Sequence, residues 1–182
     1  IKKTKGDRFM NKKIMYIITI LSTAVLLFLD QIAKYLAVLH LKGQAAIPII
    51  KNVFELQYLE NQGAAFGIMQ GKKTFFVIGT LIFLVIVVIL YHNIPLTKRF
   101  TPIRIVAVLI IAGAIGNMID RVVHQYVIDF FYFKLINFPI FNVADIYVVV
   151  ACILFILLML FYYKEEELGQ IFPFMKRKKA EE

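Results

Sequence analysis

Two aspartates in apolar surroundings are the first candidates for chemistry in this sequence. Asp129 lies in the stretch YVIDFFYF and Asp145 lies in FNVADIYVVV, and neither stretch contains a cationic residue. Two carboxyl groups that come together in such surroundings titrate as a coupled pair. If the pair shares one proton, one member can activate water as a general base while the other acts as a general acid on a peptide carbonyl. These residues therefore allow an aspartic hydrolase mechanism.

Other catalytic mechanisms lack the residues that they need. Ser22 is the only serine and lies within an apolar run, whereas His40, His92 and His124 lie close to the predicted membrane surfaces. A serine–histidine arrangement is therefore excluded. The single cysteine, Cys152, cannot form an intramolecular disulfide, and we interpret it as a buried packing residue. The sequence contains no HExxH motif and no paired cysteines, so we predict no metal site and no cofactor.

The composition identifies a membrane protein. Hydrophobic residues make up 60% of the 182 residues, which is far more than a soluble domain needs. Four apolar runs each approach the length of roughly 20 residues that crosses a bilayer. We therefore predict one all-α membrane domain, residues 1–182, with four transmembrane helices at about residues 14–36, 74–92, 104–121 and 142–163.

The connections between these helices differ in length and pattern. The loop at about residues 39–73 contains alternating polar and apolar side chains from Val53 to Leu59, which indicates a small β-containing region between helices 1 and 2. The loop at about residues 122–141 is shorter, and we place no strand in it. The charged tail, residues 164–182, is expected to fray.

The distribution of positive charge predicts the topology of a chain with a net charge of +9. Fourteen Lys and Arg residues flank the two termini and the connection between helices 2 and 3, against six on the opposite side. By the positive-inside rule, both termini lie in the cytoplasm and the other two loops lie outside. The basic excess then contacts anionic membrane lipid and requires no nucleic-acid partner. The first apolar run continues into DQIAKYL without a small-residue cleavage site, so we predict a retained helix and not a signal peptide.

The rise of the helices brings four aspartates to one depth. At a rise of about 1.5 Å per residue, Asp30, Asp120 and Asp145 all fall near the outer surface of the membrane that the helices span. Asp129 lies in the short outer loop. Asp30 can pair with Lys34 one helical turn later, and we interpret that pair as structural. Asp120 is likewise interpreted as structural.

Two other classes of function remain open on the residues alone. A small transporter or channel subunit could use Asp30, Asp129 and Asp145 as a proton or cation relay, but a relay predicts acids that are staggered in depth. A catalytically silent assembly or lipid-binding protein is the other class. Cleavage of a lipid-modified substrate would separate an enzyme from both.

Five short motifs, taken in order, resemble a known family. They are LDQIAK in helix 1, NQGAAFG in the first outer loop, AGAIGNMIDR at the end of helix 3, VIDFF after it and FPIFNVAD entering helix 4. Each motif is weak alone, but their order on one side of a four-span protein is highly specific. From about Met10 to Tyr163 the sequence is similar to the lipoprotein signal peptidases, the type II signal peptidases of bacteria. One departure is Ala112, where the family often has glycine.

The resemblance implies an activity, a location and a set of site residues. It implies an aspartic endopeptidase at the outer face of the bacterial cytoplasmic membrane, which removes the signal peptide from diacylglyceryl-modified prolipoproteins by cleaving before the lipidated cysteine. The catalytic pair of the family corresponds to Asp129 and Asp145. We expect a monomer whose partners are these substrates and membrane phospholipids. The positions expected to bind substrate or to support the pair are Asp30, Lys34, Asn61, Gly63, Phe66, Asn117, Asp120, Arg121 and Asn142.

Overall fold

Helices of membrane-spanning length dominate the fold. The computed structural model describes residues 11–63 and 73–172. Within these residues, four helical segments are long and apolar enough to cross a membrane: Lys12–Leu41, Lys73–Asn93, Lys98–Val123 and Val143–Tyr162. Their α-helices are α1 (Lys12–Leu41), α2 (Lys73–Asn93), α3 (Thr101–Val123) and α4 (Val143–Leu157). A 3-10 turn, Lys98–Phe100, leads into α3, and a π-helical turn, Leu158–Tyr162, continues α4. The expected membrane fold with four spanning helices is therefore confirmed.

The outward faces of the helices are apolar, and the faces that meet inside are small or polar. On α2, for example, Ile82 and Val85 are each more than half exposed, and an apolar surface of this extent fits lipid and not water. On α3 the buried residues include Ala112, Gly113 and Gly116. Small residues let neighbouring helices approach closely, so α3 packs against α1, α2 and α4 at the centre of the bundle.

A three-stranded antiparallel sheet lies at one end of the helices, which we call the sheet end. β1 (Ile47–Ile50) and β2 (Phe54–Asn61) form a hairpin between α1 and α2, as the alternating pattern predicted. The third strand, β3 (Val127–Tyr132), pairs with β2 and comes from the α3–α4 connection, where no strand was expected. Its first four residues are all buried, so β3 lacks the alternation that reveals a half-buried strand. This strand carries Asp129.

Two apolar cores lie at opposite ends of the helices. At the sheet end, Ala37 and Leu41 of α1 pack with Ile128 and Phe130 of β3, which fixes the sheet to the helices. At the far end a larger core joins α1, α2, α3, α4 and the residues after α4. Its buried members are Met15, Tyr91, Ile94, Phe100, Ile103, Val106, Ala107, Ala151, Tyr163, Leu168 and Ile171.

A short fifth helix corrects the expectation that the chain frays directly after α4. α5 (Glu165–Ile171) buries Leu168 and Ile171 in the far-end core. Arg99 holds this helix through Glu167, with Nε 2.9 Å from Oε1 and Nη2 3.1 Å from Oε2. The expectation was wrong because it weighed the charges of the segment and overlooked its two apolar residues, which are three positions apart and share one helix face.

Candidate active site

Asp129 is held in the sheet by two amide side chains. It lies on β3 opposite Leu59 of β2 and is 2% exposed. Asn61, at the end of β2, donates from Nδ2 to Oδ2 of Asp129 at 2.9 Å. Asn142, just before α4, donates from Nδ2 to the other carboxylate oxygen at 2.6 Å. Because each oxygen accepts an N–H bond, the carboxyl group has one orientation.

Asp145 is oriented by the start of α4. Asn142 is the N-cap residue: its side chain accepts from the backbone N–H of Asp145 at 3.0 Å, and its own backbone N–H donates to Oδ2 of Asp145 at 3.1 Å. This reciprocal arrangement is a capping box. Asn117 of α3 donates from Nδ2 to Oδ1 of Asp145 at 2.8 Å. The helix N-terminus and the two asparagines therefore fix both oxygens of Asp145.

The two aspartates belong to one connected hydrogen-bond network and face one cavity. Asn142, which is fully buried, donates from Nδ2 to Oδ1 of Asn117 at 3.0 Å as well as to Asp129. The two amides therefore link the carboxylate on the sheet to the carboxylate on α4. Asp129 and Asp145 both line a cavity of about 500 Å³. The arrangement can present two carboxyl groups to one bound molecule.

A buried ion cluster supports this network from α1. Lys34 Nζ lies 2.9 Å from Oδ2 of Asp30 and 2.9 Å from Oδ2 of Asp120, and it donates to Oδ1 of Asn117 at 3.0 Å. Asp30 accepts from the backbone N–H of Ala144 at 2.9 Å, in the first turn of α4. We call Asp30, Lys34 and Asp120 the ion cluster. It ties α1 to α3 and α4 directly beneath the two catalytic candidates.

Gln31 is a member of this support that sequence reasoning missed. Its Nε2 donates to Oδ2 of Asp30 and to Oδ1 of Asp120, each at 3.1 Å. Asp120 in turn accepts from the backbone N–H of Ile128 on β3 at 3.1 Å. The available signal was the position of Gln31 within LDQIAK, between two residues that were singled out. Through these bonds the ion cluster also positions the strand that carries Asp129.

Arg121 places a positive charge beside the cavity. It donates to the backbone carbonyl of Asn117 at 3.3 Å and to that of Gly63 at 3.2 Å, and its guanidinium lies 4.8 Å from the ring centre of Phe76. Gly63 in turn donates its backbone N–H to Asn61 Oδ1 at 3.0 Å. Arg121 therefore holds the end of β2 near α3 and lines the cavity.

The structure brings ten of the eleven expected site residues into one region, and the eleventh, Phe66, lies outside the described residues. Sequence reasoning missed the apolar wall of the cavity. Phe133, Phe138 and Phe141 come from the segment between β3 and α4, and Val148 and Val149 come from α4. The aromatic-rich run FYFKLINFPIF was the available signal. Among the described residues, no three His, Cys, Asp or Glu side chains are placed to hold a metal ion.

A helix-packing prediction follows from the contact between Gly116 and the ion cluster. A Cβ atom at Gly116 would lie 2.6 Å from Oδ2 of Asp30. This carboxyl group cannot move without breaking the bond between Oδ2 and Lys34 and the bond that Oδ1 accepts from Ala144. We expect Gly116→Ala to lower the free energy of unfolding by about 1–3 kcal/mol. Thermal unfolding in detergent measures the effect.

Gly79→Ala is the matched control, because a Cβ atom at Gly79 of α2 has nothing within 4 Å. It should unfold at the temperature of the parent protein or slightly above it, since alanine favours helix. Equal unfolding temperatures for the two variants would contradict the steric argument.

Known proteins match most of the chain. The family model described as Signal peptidase (SPase) II matches residues 22–161. A lipoprotein signal peptidase of Caldanaerobacter subterraneus subsp. tengcongensis is 44% identical over 136 residues, which cover 74% of this chain and 90% of that protein. One from Clostridium novyi is 43% identical over 131 residues, covering 70% and 87%. This chain belongs to the signal peptidase II family.

Two solved structures share the fold of this signal peptidase II family member. Both are described as bacterial membrane enzyme structures obtained by the in meso method, at 2.3 Å and 1.9 Å resolution. The first has a TM-score of 0.67 and 32% identity, covering 79% of this chain and 87% of its own. The second has a TM-score of 0.69 and 30% identity, covering 88% and 99%. The resemblance found in the sequence is therefore confirmed, as is the peptidase function of the family, which processes prolipoprotein signal peptides.

The surroundings of Asp129 predict how stability changes with pH. Burial raises the pKa of Asp129 from 3.8 to about 7; nearby Asp145 adds to the rise, while bonds from Asn61 and Asn142 and the charge of Lys34 oppose it. The folded protein therefore binds this proton more tightly than the unfolded chain does. The resulting stabilisation is complete below about pH 4 and is lost as the pH rises to about 7.

Asp129→Asn has no such proton to lose. We therefore expect the unfolding temperature of this variant, measured relative to that of the parent protein, to rise between about pH 5 and pH 8. Thermal unfolding in detergent across this range gives the difference between the two proteins. A difference that stays constant with pH would contradict the raised pKa.

Proposed function

We propose that Asp129 and Asp145 are the catalytic dyad with which this chain removes the signal peptide from diacylglyceryl-modified prolipoproteins, cleaving before the lipidated cysteine. The observation that carries the proposal is geometric: the buried carboxyl group of Asp129 and the half-buried carboxyl group of Asp145 line one cavity and are joined through Asn142 and Asn117. Within the described residues, neither Asp129 nor Asp145 forms a salt bridge. In the ion cluster, by contrast, Lys34 pairs with a carboxylate oxygen of each aspartate.

The chemistry needs one ionised and one protonated member. The ionised carboxylate takes a proton from water as the oxygen attacks the scissile carbonyl carbon, and the protonated carboxyl donates its proton to the carbonyl oxygen. The gem-diol intermediate then collapses: one hydroxyl returns its proton to the carboxylate that protonated the carbonyl oxygen, the C–N bond breaks, and the leaving amine receives a proton from the acid that the attack created. A pKa of about 7 for Asp129 supports a shared proton near neutral pH.

The cavity suits a lipid-modified peptide. Its polar residues gather around the dyad, whereas its other walls are aromatic and aliphatic side chains such as Phe133, Phe138 and Val149. Val149 is 56% exposed on the apolar surface of α4, so the cavity borders the membrane. A substrate held in the bilayer by its acyl chains and signal helix could present its scissile bond there without leaving the membrane boundary.

The proposal includes an orientation and an assembly state. The positive-inside rule supports cytoplasmic termini and an active site at the outer face of the cytoplasmic membrane. A reporter fused after Lys164 should then be cytoplasmic and one fused after Gly71 external; the opposite result would overturn this orientation. One chain supplies both aspartates and the described residues that support them, which favours a monomer.

The test of function is mass spectrometry of a diacylated lipoprotein precursor incubated with the purified protein in detergent or lipid. We expect two products, separated immediately before the lipidated cysteine. Ser22→Ala and Cys152→Ala should retain activity, since neither residue lines the cavity. Cys152 is exposed and not buried as expected, because it lies on the lipid-facing side of α4. Loss of activity on chelation, restored by added metal, would overturn the aspartic mechanism.

A further inference from the structure

A second cavity lies far from the dyad, between α1 and α3 at the end opposite the sheet. Its volume is about 620 Å³, and its walls include Ile18, Leu21 and Val25 of α1 and Arg104 and Ile105 of α3. Leu21 and Val25 are 60% and 59% exposed, so this cavity opens sideways onto the lipid-facing surface. We call it the Arg104 groove.

Arg104 is a buried cation with an unsatisfied donor. The residue is 9% exposed, and its recorded hydrogen bonds run to the neutral backbone carbonyls of Ile94, Pro95 and Thr97. Within the described residues, its Nε is buried without any hydrogen-bond partner. Among the described residues no carboxylate pairs with this guanidinium, and a buried cation without a counter-ion, like an unpaired buried donor, is costly. Both features favour an anionic ligand at this position.

The groove has a polar end and an apolar end, arranged along the membrane normal. Arg104 lies in the first turn of α3, close to Thr101 and to Tyr91 near the end of α2, at the membrane boundary. Val108 lies about 6 Å deeper on α3, and Val25 of α1 lies ten residues, or about 15 Å, beyond Met15. A charged headgroup at Arg104 would therefore continue into an apolar channel that runs toward the bilayer centre.

We propose that the Arg104 groove binds one anionic glycerophospholipid, with its phosphate beside the Arg104 guanidinium and an acyl chain along α1 and α3. The charge of Arg104 selects an anionic headgroup, and arginine is well suited to phosphate oxygens. The exposed apolar wall selects a chain that is already in the bilayer. The site shares no residue with the cavity of the dyad, so its occupancy is independent of the catalytic proposal.

The experiment is native mass spectrometry of the purified full-length protein in neutral detergent, titrated with phosphatidylglycerol or with phosphatidylcholine. The parent protein should bind one phosphatidylglycerol with clear preference. Arg104→Gln should weaken that binding roughly tenfold to a hundredfold, because a charge-assisted bond is lost. Val25→Trp should fill the groove and reduce phosphatidylglycerol binding to the level of phosphatidylcholine, while leaving Arg104 in place.

Two matched controls separate the site from general effects. Val85→Trp changes an equally exposed valine, 58% against 59%, on a lipid-facing helix outside the groove. Lys13→Gln removes an exposed charge from the start of α1 at the same membrane boundary. Both variants should bind phosphatidylglycerol as the parent protein does.

Several outcomes would overturn the proposal. One is that Val25→Trp and Val85→Trp bind phosphatidylglycerol equally well. Another is that the parent protein binds the two phospholipids equally well. A third is that Lys13→Gln weakens phosphatidylglycerol binding as much as Arg104→Gln does. Preferential binding of oleate with the same dependence on Arg104 would assign the site to a fatty acid and overturn the phospholipid. If Arg104→Gln fails to fold, as judged by size-exclusion chromatography, the comparison of the two tryptophan variants decides alone.

Discussion

Replacing either Asp129 or Asp145 with Asn should lower the rate of precursor cleavage by roughly a thousandfold or more, with little change in folded yield. Asparagine keeps the size of the side chain and an oxygen that can accept one of the existing bonds. It can neither accept the proton of water nor donate an acidic proton to the scissile carbonyl. Because the two carboxyl groups act as one unit, the double variant should be no slower than either single variant. Mass spectrometry of the diacylated precursor over time measures all three rates.

Glu60→Gln is the control for this pair of variants. Glu60 lies on β2 next to Asn61, but its side chain is 35% exposed and pairs with Lys42 at 2.8 Å outside the cavity. Removing its charge should leave the cleavage rate unchanged. If Asp129→Asn or Asp145→Asn protein still processes the precursor at the parental rate, the assignment of the dyad is wrong.

Replacing Lys34 with Met should produce the largest loss of stability. The side chains of Lys34, Asp30 and Asp120 are 2%, 0% and 1% exposed, so two carboxylates would remain buried without their cation. Breaking a buried ion pair by removing one partner costs about 3–5 kcal/mol. Asn117 would also lose one of the two bonds to Oδ1 that orient its amide toward Asp145. We therefore expect a much lower unfolding temperature in detergent, together with reduced cleavage.

Lys42→Met is the matched control for the loss of a lysine–carboxylate pair. Lys42 and Glu60 are 51% and 35% exposed, and exposed pairs contribute at most about 1 kcal/mol. The two methionine variants should thus differ clearly in unfolding temperature. Similar temperatures would show that the ion cluster does not hold α1 to α3 and α4 as the structure indicates.

Much of the fold is readable from local properties of the sequence. The four spanning helices follow from runs of apolar residues, because every backbone group in a bilayer must be satisfied within its own segment. The depth of Asp30, Asp120 and Asp145 follows from helix rise alone. The β1–β2 hairpin follows from alternation, since one face of β2 is more buried than the other.

The tertiary structure decided what no local pattern encodes. β3 has no alternation, because it is buried between β2 and α1, so its strand character depends on its neighbours. The fifth helix likewise exists because the far-end core covers Leu168 and Ile171. Both elements depend on surfaces that are distant in sequence.

The candidate site divides in the same way. The sequence by itself determined which residue types could act: Asp129 and Asp145, with Asn61, Asn117 and Asn142 near them in the ordered motifs. Only the tertiary structure decided that Asn142 bonds to Asp129 and Asn117 at once while it caps the helix of Asp145. Hydrogen bonds require donor and acceptor within about 3 Å, and that distance depends on how the sheet and three helices pack together, which spacing along the chain does not specify.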